Sequence, residues 1–395
     1  MQKVYKLFFI AFVVLLTSVP SSAYADSGIT QAYIDSVSLY YFQIGNWDEI
    51  IRTGKLAEKN EVDFKWLQQR IGYAYVNKKQ YYKSMQHYEK ALTFDKEDEI
   101  THLYLYYNGI NTGSTAYARY HAGKLSDTSK AYIDQEEIRL FDALDLEFSY
   151  KSPDTTAINN AYYQRIGLNT LLGYQFNLYQ TFSNFSQSTD TTQTRQNEYF
   201  AMISWNPGAK TNLSLGYHYV GTRVDIYSNT YLYPGNIIYG KISHKLNRFD
   251  LSVSGANFNN DWIDTKQFGL QLGVGFSGEN NIYLTSSFFK IYETSFNNTS
   301  SRNIFKQTAG IMLFDRLWTE ASINFGNLNH FIDNNGMYLY NSLDPSTFRT
   351  GLSVFGYVSK PLTLYINYTF DNKLIIISQQ QYNQHSITGG IIWKI

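Results

Sequence analysis

The sequence predicts an α+β chain: a block of paired N-terminal helices, then an antiparallel transmembrane β-barrel of about 14 strands, within roughly 12 to 16. Three observations predict it. A pattern of large and small residues recurs at an interval of 34 through the first part of the chain. The apolar period changes from 3.6 to 2 after Phe141. The links between the alternating segments are then short and long by turns.

Composition narrows the function before any element is placed. Among 395 residues, 33 Lys plus Arg balance 33 Asp plus Glu, so a polyanion such as nucleic acid has no field to follow. The 36 Tyr and 26 Phe stand beside only 17% charged residues, which is aromatic-rich and charge-poor. A mean hydropathy of -0.34 with one long apolar stretch, at the N-terminus, excludes a bundle of membrane-spanning helices. There is no Cys, which removes disulfides, thiolate nucleophiles, thiolate metal sites and a lipidated N-terminal cysteine. No Gly-rich phosphate loop, His-x-x-x-His pair or acidic calcium loop occurs. Neither a metal nor a nucleotide cofactor is expected.

Residues 1–25 read as a secretory signal peptide. Lys3 and Lys6 precede an apolar run from Leu7 to Leu16, then Ser18 to Ser22 and the small-x-small sequence Ala23, Tyr24, Ala25. The run is too short to span a bilayer as a helix. Cleavage places the mature start at Asp26.

Residues 26–128 read as helical repeats. From Asp63 to Asp98 the positions Gly72, Tyr75, Tyr81, Ser84, Tyr88, Ala91, Leu92 and Asp95 carry the alternation of small and large side chains that lets two antiparallel helices cross closely. Moving back by 34 maps Tyr75 on Tyr41, Tyr81 on Trp47 and Ala91 on Ala57; moving forward maps Lys79 on Gly113 and Ser84 on Ala118. These residues resemble the tetratricopeptide repeat. The resemblance implies a concave groove made by the first helix of each pair, presenting Trp66, Gln69, Tyr73 and Asn77. Those four either bind a protein partner or only solvate and pack that face. Two clear repeats and one degenerate one sit at the lower limit for a free-standing solenoid, so another element is expected to cap them. Residues 129–141, with Tyr132, Ile133, Ile138 and Leu140 at helical spacing, read as a capping helix and linker.

Residues 142–395 read as the barrel. Leu144, Leu146, Phe148 and Tyr150 alternate with Asp145, Glu147, Ser149 and Lys151. The alternation returns at Tyr199 to Trp205, Leu213 to Tyr219, Phe268 to Phe276 and Leu362 to Phe370, and runs through Ile387, Gly389, Ile391, Trp393 and Ile395. Every second link is short. Long ones are expected near 153–160, 185–195, 225–235, 259–265, 294–302, 327–346 and 371–381, which gives an even strand number with both barrel ends on one side. Closure satisfies every backbone polar group in lipid.

With the apolar stripe outward, Asp145, Glu147, Arg165, Glu198, His218, Lys241, Lys306, Glu320 and Arg349 face the lumen. The barrel half holds 17 acids and 17 bases, without the bias of a strongly selective ion filter. The charges either pair across a narrow lumen and stiffen it, or line a conduit. His385 beside Ser386 and His244 beside Ser243 point to opposite faces of a strand, so neither is a nucleophile–base pair. No catalytic residue is assigned.

The whole layout resembles outer-membrane proteins with a periplasmic tetratricopeptide domain before a C-terminal barrel. The YaiO-type proteins are of comparable size, and the exopolysaccharide export porins carry more repeats. The resemblance implies an outer-membrane location with the helices in the periplasm. It implies recognition by the outer-membrane insertion machinery, contact with outer-membrane lipid, a periplasmic protein partner, and passage of a polar solute such as a polysaccharide. A non-conducting envelope scaffold and an outer-membrane lipid hydrolase are the alternatives. The C-terminal Ile395 departs from the usual terminal aromatic, although Trp393 supplies an interfacial ring.

Overall fold

The computed structural model describes residues 29–133, 140–277, 281–296, 298–314, 316–341, 344–375 and 379–395. The proposed signal segment 1–25 and Ile138 lie outside the described residues.

Seven helices come first: α1 Gln31–Gln43, α2 Trp47–Lys59, α3 Lys65–Asn77, α4 Tyr81–Phe94, α5 Glu99–Asn111, α6 Thr115–Ala122 and α7 Asp127–Tyr132. The odd helices α1, α3 and α5 begin 34 residues apart, and so do α2, α4 and α6. Short polar caps start several of them: Thr30 Oγ1 accepts from the Tyr33 amide, Asn46 from Glu49 and Asp98 from Thr101. Between paired helices a glycine lets the two approach closely. A Cβ on Gly72 would stand 2.8 Å from the Tyr88 ring, and one on Gly109 only 2.9 Å from the Ala118 amide nitrogen. Neighbouring pairs are tied by Arg70 to Asp35 at 2.6 Å and by Lys65 to Asp98 at 2.9 Å. Ile34, Ile50, Leu67 and Ile71 form one buried core, and Met85, Tyr88, Leu105 and Tyr117 a second.

α7 stops at Tyr132 and the first strand already begins at Phe141. Leu140 is drawn toward the sheet, because its carbonyl accepts from the Leu171 amide.

Fourteen antiparallel strands then close into a barrel. They are β1 Phe141–Pro153, β2 Ile158–Leu172, β3 Phe176–Thr189, β4 Thr192–Trp205, β5 Thr211–Ile226, β6 Asn229–Leu246, β7 Phe249–Asn260, β8 Ile263–Phe276, β9 Ile282–Ser295, β10 Asn298–Leu313 and β11 Leu317–Phe325. After a long loop come β14 Ser346–Tyr357, β15 Leu362–Leu374 and β16 Gln381–Lys394; the loop itself holds the two-residue strands β12 Ile332–Asp333 and β13 Tyr338–Leu339. Each strand pairs with its neighbour in sequence, and β16 returns to β1 with Leu146 opposite Ile391 and Ser149 opposite Thr388.

The alternation settles which face is outside. Ile238, Leu270, Val253 and Phe268 are about 60% exposed on the outer wall, a continuous greasy surface that water would not tolerate on a soluble protein. Aromatic rings gather at both rims, with Trp205 stacked on Phe176 toward the helices and Trp262 against Phe296 at the far end.

Four of the seven links expected to be long at the far end are corrected. β3 runs on to Thr189 and β4 starts at Thr192; the same close spacing joins β5 to β6, β7 to β8 and β9 to β10. Backbone pairing continues past the greasy band, where the outer and inner faces are both polar. Alternation therefore fades there although the strand does not.

Candidate functional site

The longest of the links between strands, residues 326–345, turns into the barrel and divides its lumen. Asn334, Asn335 and Gly336 adopt φ of 47°, 57° and 92° in succession, a left-handed run that Asn and Gly accept most readily. Gly336 lies so close to the wall that a Cβ would stand 2.8 Å from Tyr239. The loop is seated on an apolar shelf inside the barrel: Leu328 and Phe331 pack on Ile291 and Ile304, and Ile332 on Val220, Ile237 and Phe258, all almost fully buried.

Polar contacts fix the rest of the loop to the wall. The Lys306 ammonium reaches both oxygens of Asp333 at 2.8 Å. Gln267 donates to the Ile332 carbonyl at 2.7 Å and accepts from its amide at 3.0 Å. Lys241 donates to Asn335 at 3.1 Å and to Gln271 at 3.2 Å. Arg302 joins Glu293 at 2.7 Å and donates to the Asn329 carbonyl, while His330 Nδ1 meets the same carboxylate at 3.1 Å.

On the opposite wall Arg165 is the hub. It donates to Asp145 at 3.0 Å, Glu147 at 3.4 Å and the Tyr338 hydroxyl at 2.7 Å. Tyr179 donates to Asp145, and Tyr338 and Tyr365 both donate to Glu147. One strand pair further, His218 Nδ1 meets the Gly336 carbonyl at 3.0 Å; a carbonyl only accepts, so Nδ1 carries the proton. His218 Nε2 faces Glu198 at 3.0 Å, and Glu198 also accepts from Gln196 and Ser183.

Of the nine residues read as lumenal, Asp145, Glu147 and Arg165 thus form one cluster, Glu198 and His218 a second, and Lys241 and Lys306 hold the loop. Glu320 accepts from Tyr283, and Arg349 pairs with Asp371 at 3.1 Å under the Tyr340 ring. Many of these charges meet the inward loop rather than an opposite strand. The residues that reading missed are Lys151, Asp371 and Lys373, together with Asp333, Tyr338 and Tyr340. The first three share inward parity with residues already named. The last three sit in a segment with no alternation, where only the Asn334–Asn335–Gly336 turn marked a tight fold.

The four groove candidates of the helices separate. Trp66 and Asn77 face solvent, and Tyr73 is half-buried among Phe42, Trp47 and Tyr104. Gln69 does not present itself in a groove: it is buried, and its amide donates to Asp98 at 2.7 Å and Thr101 at 2.8 Å. A buried amide has to be satisfied internally, and here the partners lie on the next helix pair.

The helices also cover one end of the barrel. Lys210, in the β4–β5 turn, pairs with Glu89 of α4 at 2.7 Å, and Lys245 of β6 donates to Ser114. Asn281 donates to the Asn111 carbonyl at 3.1 Å, Ala209 packs against the Tyr88 core, and Lys130 lies over the Tyr174 ring. The α5–α6 turn, residues 110–117, lines the cavity at this mouth.

Three cavities follow one another through the barrel, of about 620, 250 and 680 Å³. Lys306, Glu320, Asp333 and Asn334 line both the first and the second; Lys241, Gln271, Tyr283 and Thr285 line both the second and the third. Among the described residues no cluster of His and carboxylates suits a metal ion.

Fold and lumen together define a class: a closed antiparallel barrel with a greasy exterior, a polar interior and an inward loop. No protein-family model and no curated protein matches the chain. Solved outer-membrane barrels are similar to it in fold. The CymD monoaromatic hydrocarbon channel is 9% identical over 70% of this chain and 93% of that one, with a TM-score of 0.43. Omp33 of Acinetobacter baumannii is 11% identical over 65% and 99%, at 0.36. A bacterial polysaccharide outer membrane secretin is 8% identical over 66% and 100%, at 0.40. These are likenesses of fold alone, and nothing about the lumen is carried over from them.

Proposed function

We propose that this chain is an outer-membrane conduit for a small polar solute, held shut at rest by its inward loop and by the α5–α6 turn at the opposite mouth. One observation carries the reading: cavities that share charged and polar wall residues follow one another through the barrel inside a wall whose outer face suits hydrocarbon. The helices are tetratricopeptide-type repeats on the periplasmic side, where a protein partner would act on the mouth they cover. A polysaccharide could thread the barrel only after the loop had left, so a small solute fits the resting shape better.

A second reading, a non-conducting envelope scaffold, draws on the number of side chains that fix the loop. Planar-bilayer recording of the purified full chain separates the two, beside a variant in which residues 328–341 are replaced by a short Gly-Ser link. The conduit predicts rare or small openings from the natural chain and large steady ones from the variant. Silence from both would leave only the scaffold.

We read the chain as non-enzymatic. Both ring nitrogens of His218 are taken by Gly336 and Glu198, His330 faces Glu293, and His385 meets the Tyr368 hydroxyl. His244 does meet a hydroxyl, that of Thr211 at 3.0 Å, but on the exposed outer wall with no carboxylate bonded to the ring among the described residues. Fatty-acid release from outer-membrane lipid that disappeared in His244→Ala would overturn this.

A further inference from the structure

We propose that Lys151, Arg349 and Lys373 form a subsite for an anionic oxygen group, a carboxylate or a phosphate, carried by the solute. The proposal rests on the lumen being a solute route and names the chemistry that route selects. The three cations sit on β1, β14 and β15, which adjoin one another through β16, and all three line the 620 Å³ cavity. Register places them together: Arg349 is opposite Asp371, Asp371 opposite Gln384, and Lys373 opposite Tyr382. Lys151 stands on the next strand, opposite Ser386.

The acids around these cations are already bonded to other groups. Asp371 is committed to Arg349, both of its oxygens lying at 3.1 Å from the guanidinium. Lys373 has Asp371 and Asp344 as its acidic neighbours, and Asp344 also accepts from the Tyr382 hydroxyl. Lys151 has Asp371 and Glu147 nearby, yet Glu147 is occupied by Arg165, Tyr338 and Tyr365. Among the described residues Lys151 makes no hydrogen bond or ion pair. Of the three cations, Lys151 is therefore the one whose acidic neighbours are all bonded elsewhere, an ammonium on a cavity wall.

A half-buried ammonium without a counter-ion is costly unless something satisfies it. A carboxylate or phosphate oxygen in the cavity would do so by a charge-assisted hydrogen bond, with Lys373 adding attraction and the edge of Tyr340 closing the side. A neutral sugar offers no charge to either lysine. The subsite therefore discriminates by charge at the loop-facing side of the lumen, although the barrel as a whole is neutral.

Calorimetric titration of the detergent-purified full chain tests this without requiring conduction. The probes are galacturonate, galactose and inorganic phosphate. Saturable binding of galacturonate, phosphate or both is expected, and of galactose not; which anion binds distinguishes a sugar acid from a phosphate. Lys151→Gln should weaken binding about tenfold or more, the ordinary loss for a hydrogen bond to a charged group. Lys373→Gln should weaken it less, Lys151→Arg should keep it within a few-fold, and Lys266→Gln on the outer wall should leave it unchanged. Each variant is first shown to be folded by its gel shift on heating. Equal affinity in Lys151→Gln, equal binding of galactose, or no saturable binding of either anion would each overturn the proposal. A chain that conducts but binds no anion loses the subsite alone; one that binds an anion but never conducts loses the conduit.

Discussion

The Lys306 ammonium stands 2.8 Å from each carboxylate oxygen of Asp333, so a single two-pronged contact joins strand β10 to the tip of the inward loop. The carboxylate also caps the turn by accepting from the Asn334 amide. Removing it leaves a largely buried ammonium unpaired, at a cost of about 3 kcal/mol, the lower end for a buried pair because Lys306 keeps some solvent contact. Asp333→Ala is expected to raise amide exchange of residues 328–341 about a hundredfold while β3 to β5 stay protected. Unchanged exchange in the loop would mean the apolar shelf alone holds it.

Two histidines make the helices sensitive to acid. His102 Nε2 meets the Lys96 carbonyl at 2.9 Å and must donate to it, so its Nδ1 accepts from His121 Nδ1 at 2.8 Å. His121 Nε2 is then buried with no partner among the described residues. Burial first, then His102 and Lys210, hold His121 down at about 3; burial and Lys90 hold His87 down at about 4 against the pull of Asp63. Unfolded histidine takes its proton near pH 6.5. Below that the unfolded helices bind protons the folded ones refuse, so stability is full above about pH 6.5 and falls as pH drops toward 4 and 3. Each histidine should contribute a slope of about 1.4 kcal/mol per pH unit. Urea unfolding of the helices, followed by circular dichroism of the full chain, should shift to lower urea between pH 6.5 and 4. The shift should shrink in His87→Gln and His121→Gln, and an unaltered slope in both variants would sink the assignment.

The crossing of α5 and α6 offers a packing test. A methyl on Gly109 would lie 2.9 Å from both the Cβ and the backbone nitrogen of Ala118. Ala improves helix propensity over Gly by about 1 kcal/mol, but overpacking against a backbone that cannot yield costs about 1–3 kcal/mol. Gly109→Ala should therefore lower the midpoint of helix unfolding. A higher midpoint would show that the two helices can simply move apart.

The docking of the helices on the barrel should be electrostatic and weak. Lys210 and Glu89 are both partly exposed, so the pair itself contributes about 1 kcal/mol or less. Glu89→Lys replaces attraction by repulsion. Amide protection of the 110–117 turn is expected to drop several-fold, and Lys210→Glu added to it should restore most of the loss. Failure of the double charge swap to recover protection would point to the Tyr117 hydroxyl, which also donates to Glu89 at 3.0 Å, or to the packing of Ala209.

Much of this was legible from residue order because membrane strands and repeat helices obey simple periods. The interval of 34 reappears in the helix starts, and Leu144 to Tyr150 face outward while Asp145 and Glu147 face in. What was illegible has physical causes. Beyond the hydrocarbon band neither face of a strand is selected for greasiness, so Thr189 to Thr192 looked like loop when it is a close hairpin. The 326–345 segment contains Leu328, Phe331 and Ile332, whose burial depends on Ile291, Ile304 and Phe258 from distant strands. Short-range pattern cannot announce such partners. Gln69 was misplaced for a related reason, since Asp98 and Thr101 belong to the following helix pair.

The 620 Å³ chamber straddles the join between the first and last strands, taking Asp145, Glu147 and Lys151 from β1 and Gln384, Thr388 and Ile392 from β16. Its wall is therefore complete only when those two edges are paired. An insertion intermediate halted before that moment would already own its helices and most of its hairpins and yet have no enclosed chamber, so any solute that prefers the chamber would also favour the sealed ring.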